Sequence, residues 1–131
     1  MKKLFIIIII ILGAYIFKIP KYNELNNLAI IESIAVEYDG TNYTLYLKEI
    51  IPTKNDQGIK YNYKYYQEKD KTIESSYKKI KEKTKKKLYL KRCKFLITNI
   101  HNSENIIRIL SISPEIIYHE PNNIYEKLKK I

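Results

Sequence analysis

The stretch LAIIESIAVEYDGTNYTLYLKEIIP, residues 28–52, decides the fold. It contains two runs of alternating apolar and polar residues separated by Asp39-Gly40, a dipeptide that is a strong signal for a two-residue hairpin turn. Pairing the runs around this turn sets Val36 opposite Tyr43. We therefore expect an antiparallel hairpin whose second strand ends at Pro52, because proline lacks the N–H that a ladder requires.

This register also predicts the two faces of the hairpin, because successive side chains of a strand point to opposite sides. Ile34 is expected opposite Leu45, and Glu32 opposite Leu47. The apolar face is then made by Ile34, Val36, Tyr43, Leu45 and Leu47. The other face carries Thr44, Tyr46 and Lys48.

The segment after the hairpin predicts a third strand. Asn55–Gly58 has loop composition, and the alternation that follows places Ile59, Tyr61, Tyr63 and Tyr65 on one face. Such a tyrosine face is open to two interpretations. It is a platform on which sugars or bases stack, or its rings pack on the sheet or a helix; packing is the interpretation we favour.

From Asp70 the apolar spacing becomes helical, with Asp70 or Thr72 as the cap and Glu74 in the favourable first turn. The apolar face of this helix is expected to contain Ile73, Tyr77, Ile80, Thr84 and Leu88. Lysines between Lys78 and Lys87 cover its outer side. A solvated face is the favoured interpretation, and contact with anionic wall polymer or lipid headgroups is the alternative.

Four further segments complete the prediction. LYLKRCKFLITN is expected to be one buried strand with Cys93, Phe95 and Ile97 on one face. SENIIRIL predicts a short helix capped by Ser103, PEIIYHEP a short strand, and NNIYEKLKK a terminal helix capped by Asn122 or Asn123. The expected fold is α+β: a small mixed sheet with two to three helices packed on it, preceded by one N-terminal transmembrane helix.

Residues 1–20 are expected to form a membrane anchor or signal segment, and residues 21–131 a single α+β domain. The uncharged run from Leu4 to Phe17 spans about 21 Å as a helix, against about 30 Å for a hydrocarbon core. Gly13 and Ala14 match a cleavage site poorly, which favours an uncleaved anchor. The anchor residues are Leu4, Phe5, Ile6, Ile7, Ile8, Ile9, Ile10, Ile11, Leu12, Ile16 and Phe17.

Only the residues at the start of the sequence indicate on which side of the membrane the domain lies. Lys2 and Lys3 before the apolar run are matched by Lys18 and Lys21 after it, so charge bias does not decide orientation. A basic start followed by an apolar core is typical of an export signal. We therefore expect the domain on the extracytoplasmic side.

Composition argues against several classes of function. The net charge is +10, but only two of the 24 cationic residues are Arg, the preferred reader of phosphate and guanine, so nucleic-acid binding is not expected. The single Cys93 excludes an intrachain disulfide, and His101 and His119 have no partners at a metal-ligand spacing. We expect no metal, no cofactor and no enzymatic activity.

The order and spacing of these segments resemble the first domain of the GerAC-like family, the C subunits of nutrient germinant receptors in spore-forming bacteria. The similarity extends roughly from Tyr22 to Leu128. The residues that match the family pattern are Glu24, Leu25, Leu28, Ala29, Ile30, Pro52, Thr72, Ile73, Glu74, Leu88 and Lys94. Ile19 stands where the family has a lipidated Cys, so an apolar helix is expected to replace the lipid.

What the resemblance implies is a membrane-anchored, non-enzymatic subunit outside the inner spore membrane. Its expected partners are polytopic receptor subunits in that membrane. The residues by themselves also allow a basic surface module that binds anionic cell-wall polymer or lipid headgroups.

Overall fold

A computed structural model describes residues 1–18 and 27–131. Their elements, in chain order, are α1 (Lys2–Lys18), β1 (Leu28–Tyr38), β2 (Tyr43–Asn55), β3 (Gly58–Asp70), α2 (Ile73–Lys83), β4 (Lys87–Tyr89), β5 (Phe95–Thr98), α3 (Ser103–Leu110), β6 (Ile116–His119) and α4 (Ile124–Lys130). The predictions for Glu24 and Leu25 lie outside the described residues.

The six strands of the described residues belong to one mixed sheet, in which five follow the order β3-β2-β1-β5-β6. The pairs β1–β2 and β2–β3 are antiparallel, whereas β5 runs parallel to both β1 and β6. The short β4 pairs with the first residues of β1 in parallel. The predicted α+β class and mixed sheet are confirmed.

The first hairpin forms, but its predicted register is wrong by two residues. Val36 lies opposite Leu45 instead of Tyr43, and Ile34 lies opposite Leu47. The Asp39 carboxylate accepts hydrogen bonds from the Thr41 and Asn42 amides, which makes Asp39 the first corner of the turn. Gly40, with φ of 100°, then occupies a central turn position that favours glycine.

The expected pairing of Glu32 with Leu47 is also wrong, because Leu47 lies opposite Ile34, and β1 carries a bulge at Glu32. Ile31 pairs with Glu49 and Ser33 with Lys48, so Glu32 has no partner on β2. Pro52 does not end β2, which continues to Asn55. At Pro52, β2 pairs with β3 on one side only, because its pairing with β1 reaches no further than Ile50. The proline therefore lies on a locally unpaired edge, where its missing N–H is tolerated.

The expected single strand around Cys93 is two strands. β4 ends at Tyr89 and β5 begins at Phe95, and both lie beside β1. Cys93 sits in the connection and packs in the core cluster with Leu96, whereas Ile97 belongs to the opposite face. The expectation that Cys93 shares a face with Ile97 is therefore wrong.

The predicted helices form, with differences at their ends. Thr72 caps α2 by accepting a hydrogen bond from the Ser75 amide, as expected. α2 ends at Lys83, so Leu88, which was placed on this helix, instead belongs to β4. Ser103 is the first residue of α3 and not its cap. Asn123 is the N-cap residue of α4, but its side chain forms no capping hydrogen bond with the described residues.

The two faces of the sheet bury separate cores. The larger is covered by α2 and α3 and includes the predicted apolar face of the hairpin, with Ile34, Val36, Leu45 and Leu47 fully buried. The smaller lies under α4 and contains Ala35, Tyr46, Ile97, Ile124 and Leu128. The faces were predicted correctly because a register error of two residues preserves the alternation.

Among residues 2–15 of α1, whose burial is described, none belongs to either core, and the side chains from Leu4 to Leu12 are exposed. Its 17 residues correspond to about 26 Å of helix, shorter than a hydrocarbon core of about 30 Å. Within residues 1–18 and 27–131, no helix has both the length and the apolar character needed to cross a membrane. The transmembrane part of the expected fold is not confirmed.

Candidate functional site

A groove of about 520 Å³ lies on the α4 side of the sheet, beyond the area that α4 covers. It is formed where the first half of β1, the middle of β2 and the start of β3 lie side by side. Its volume is within the range of ligand sites. The lining residues are Ile30, Glu32, Ile50, Pro52, Tyr61, Tyr63, Arg92 and Lys94.

Glu32 supplies the carboxylate of the groove. The bulge in β1 turns this residue toward the groove, and its backbone carbonyl accepts a 2.8 Å hydrogen bond from the Lys94 amide. Its Oε2 atom is buried and has no hydrogen-bond partner among the described residues. A buried carboxylate oxygen without a partner is costly, so this atom favours an occupant that donates a hydrogen bond.

Lys48 lies beside the groove, between the lining residue Tyr63 and the end of α4. Its side chain is almost fully buried, and Nζ donates hydrogen bonds to the carbonyl oxygens of Leu128 (3.3 Å) and Ile131 (2.6 Å). Burial lowers the pKa of Lys48, and the Glu32 carboxylate partly offsets that effect. Nζ also lies 4.4 Å from the ring centre of Tyr63, a cation–π distance.

The predicted tyrosine face of β3 divides between core and surface. Tyr65 packs with Tyr125 against the smaller core, which agrees with the favoured packing interpretation for this ring. Ile59, Tyr61 and Tyr63, by contrast, are 66%, 53% and 45% exposed. The exposed part of the strand therefore forms an aromatic wall that runs from the groove to the tip of the β2–β3 hairpin.

The lysine-rich face between Lys78 and Lys87 is partly neutralised within the domain. Lys79 pairs with Asp70 at 3.3 Å, and Lys83 pairs with Glu68. Lys86 pairs at 3.1 Å with the carboxylate of Glu49, a buried residue. These contacts reduce the charge that this lysine-rich face offers to an anionic polymer.

The family-matching residues fall into two groups. Ile30, Pro52 and Lys94 line the groove. Ala29, Ile73 and Leu88 are core residues, while Leu28 begins β1, Thr72 caps α2 and Glu74 lies in its first turn. The structure thus brings three of the matching residues to one surface and uses others to build the domain.

The remaining chemical candidates are not brought together. His101 and His119 are both exposed, and Cys93 is buried with its pKa raised to about 12 by desolvation. In residues 1–18 and 27–131, no three His, Cys, Asp or Glu side chains are grouped closely enough to hold a metal ion.

The sequence did not predict Glu32 and Arg92 as groove residues, nor Lys48 as the residue beside them. Glu32 did leave a signal, since it is an acid within the apolar run AIIESIAV. The sequence indicates Lys48 more weakly, as a lysine on the hairpin face that also carries Tyr46. It gives no indication of Arg92, because the position of Arg92 depends on the division between β4 and β5.

Comparison with known proteins identifies a family that the chain matches. The family model described as spore germination protein N-terminal domain matches residues 21–111. The matched range includes every groove residue, β1 to β5 and all of α2 and α3. No curated protein and no solved structure matches the chain.

Proposed function

Because the chain belongs to the family of spore germination protein N-terminal domains, we propose that it is a non-enzymatic subunit of a spore nutrient germinant receptor. The family match over residues 21–111 is the observation that carries this proposal. The residues of this range supply a sheet, two packed helices and a surface groove. The groove also exposes Tyr61 and Tyr63, and tyrosine is enriched where proteins bind one another.

The proposal includes attachment to a membrane through α1. Side chains all around this helix are apolar and exposed between Leu4 and Leu12, including the six consecutive isoleucines. A helix that is apolar on every side is stable only where those side chains leave water. Lipid supplies that environment, and the lysines at the start, Lys2 and Lys3, keep their charges at its surface.

The proposed arrangement divides the chain into residues 1–20, which hold it at the membrane, and residues 21–131, which form the domain. The basic start before the apolar run favours a domain on the extracytoplasmic side, against the inner spore membrane. Its proposed partners are the polytopic subunits of the same receptor. Their soluble surfaces would meet the domain close to the lipid.

Copurification from sporulating cells tests this function. A tagged full-length chain, extracted in detergent from the membrane fraction, is expected to bring down polytopic germinant-receptor subunits identified by mass spectrometry. A second tagged membrane protein with one apolar helix serves as the control for non-specific capture. Recovery of soluble cytoplasmic proteins alone would contradict the proposal.

A further inference from the structure

We propose that the end of the sheet at which β1 begins is a docking surface for an anionic lipid bilayer. The cations of this surface, which we call the basic end, are Lys54, Lys60, Lys85 and Lys87. All four are exposed, and none forms an ion pair with another described residue.

The topology collects these cations at one end. Leu28, the first residue of β1, pairs with Lys87, so the connection from α2 that contains Lys85 arrives there. The β2–β3 hairpin turns at the same end, since Ile30 pairs with Ile50 and Asn55 with Gly58. The hairpin therefore extends about 10 Å past Leu28, at about 3.4 Å per residue.

The opposite end of the sheet has a different electrostatic character. Asp39 and Asp70 lie there, and their partners Lys69 and Lys79 neutralise them at 2.8 and 3.3 Å. α2 and α3 also begin at that end, with Glu74 and Glu104 in their first turns. At the end that carries the hairpin tip, by contrast, four exposed lysines that form no ion pair among the described residues outnumber the exposed carboxylate of Asp56.

The hairpin tip combines this charge with exposed apolar surface. One face of β3 near the turn exposes Ile59, Tyr61 and Tyr63. They are flanked by Lys54 on β2 and Lys60 on β3. Tyrosine and lysine together are characteristic of the membrane–water interface, where rings enter the headgroup layer and ammonium groups meet lipid phosphates.

Chain connectivity indicates that the occupant is lipid. Only residues 19–27 join α1 to β1, and nine residues reach at most about 32 Å. With α1 in a bilayer, as the proposed function has it, the basic end is the part of the sheet that the linker holds nearest to the headgroups. The inference rests on the proposed membrane attachment, because that attachment sets the orientation of the domain relative to the bilayer.

A fluorescence measurement on the full chain tests the docking. An environment-sensitive dye is attached at Gln57→Cys, in the hairpin turn, or at Lys71→Cys, just past the other end of β3. Cys93 stays unlabelled because it is buried and its pKa is raised to about 12. The probes are vesicles of phosphatidylcholine alone or mixed with phosphatidylglycerol, and flotation of the same samples reports attachment.

The expected result is a blue shift of the Gln57 dye on phosphatidylglycerol vesicles, reversed by high salt, with no shift of the Lys71 dye. Replacing one lysine by glutamine, as in Lys54→Gln or Lys60→Gln, should lower the ratio of docked to undocked domain about fivefold, because each lysine loses its attraction to the anionic surface. The charge-preserving Lys54→Arg and Lys60→Arg variants should dock like the unmodified chain.

The outcomes separate this proposal from the proposed function. If the chain floats with the vesicles but the emission of the Gln57 dye does not shift, the chain is attached to the membrane and the proposed docking of the basic end is wrong. Equal shifts of both dyes would also overturn an oriented docking surface. Absence of flotation on either vesicle would overturn both. Soluble polyglutamate should leave the emission unchanged, and a comparable shift with it would assign the basic end to an acidic polymer instead of lipid.

Discussion

The ammonium group of Lys48 lies 4.4 Å from the ring centre of Tyr63, so a buried lysine supports one of the exposed rings of the groove. The same nitrogen donates hydrogen bonds to two carbonyl oxygens at the end of α4, those of Leu128 and Ile131. One side chain therefore joins the wall of the groove to the helix that covers the smaller core.

Replacing Lys48 by methionine is expected to destabilise the domain. The apolar chain is of similar length, but the Leu128 and Ile131 carbonyls lose their donor, which should cost about 1–3 kcal/mol in free energy of unfolding. Urea denaturation followed by circular dichroism measures this. Lys64→Met is the matched control, because Lys64 is exposed and should change stability by less than about 0.5 kcal/mol. Equal effects of the two variants would contradict the role given to Lys48.

Tyr66 should matter for stability through its hydroxyl group. That hydroxyl donates a 2.7 Å hydrogen bond to the carboxylate of Glu49, a residue that is only 1% exposed. Tyr66→Phe removes the donor and leaves a buried carboxylate oxygen short of a partner, which should cost about 1–3 kcal/mol. Thermal unfolding measures the loss. Tyr61→Phe removes an exposed hydroxyl and serves as the control; a loss as large there would argue against the Glu49 explanation.

The β1–β2 turn should make stability depend on acid pH through Asp39. The amides of Asn42 and Thr41 and the ammonium of Lys69 hold the pKa of this carboxyl well below its ordinary value. Its contribution to stability is therefore present above the unfolded-state pKa of about 3.9 and is lost as pH falls through the lower folded-state value.

Asp39→Ala tests this dependence. The variant should be less stable than the unmodified chain at neutral pH, and the difference should shrink as pH falls below about 4. Asp56→Ala, in the other hairpin turn, is the control, since the Asp56 side chain forms no hydrogen bond with another described residue. A difference that stays constant down to strongly acid pH would show that the carboxylate charge contributes nothing.

These residues also show what the sequence could and could not predict. Alternation in residues 28–52 predicts both faces of the hairpin, because burial follows a period of two whatever the register. It does not predict the register itself, which depends on the hydrogen bonds that the Asp39 carboxylate makes to Thr41 and Asn42. Dipeptide preference placed the centre of the turn at Asp39-Gly40, one residue too early along the chain.

The groove could not be predicted for a similar reason. Glu32 faces it because β1 has a bulge, and Lys48 is buried because α4, from the far end of the chain, covers that position. Both facts arise from contacts between segments distant in sequence. The tyrosines of β3 were predicted to share a face, but how far α4 covers that face decides which of them remain exposed.

A charge placed in the middle of α1 should weaken attachment to membranes. Ile8→Asp puts a carboxylate at the centre of the apolar run, which should cost about 2.5–3.5 kcal/mol on insertion. The fraction of full-length chain that floats with vesicles is expected to fall. Gly13→Ala keeps the helix apolar and has open space for the added methyl, so it should float like the unmodified chain. Unchanged flotation of Ile8→Asp would contradict insertion of α1.

We propose that this family member works at a membrane with its apolar residues 4–17 retained. This is tested by the intact mass of the chain recovered from the membrane fraction of sporulating cells after an alkaline carbonate wash. A membrane-bound polypeptide whose mass includes residues 4–17 is the expected result. A fully soluble polypeptide whose mass lacks this segment would contradict it.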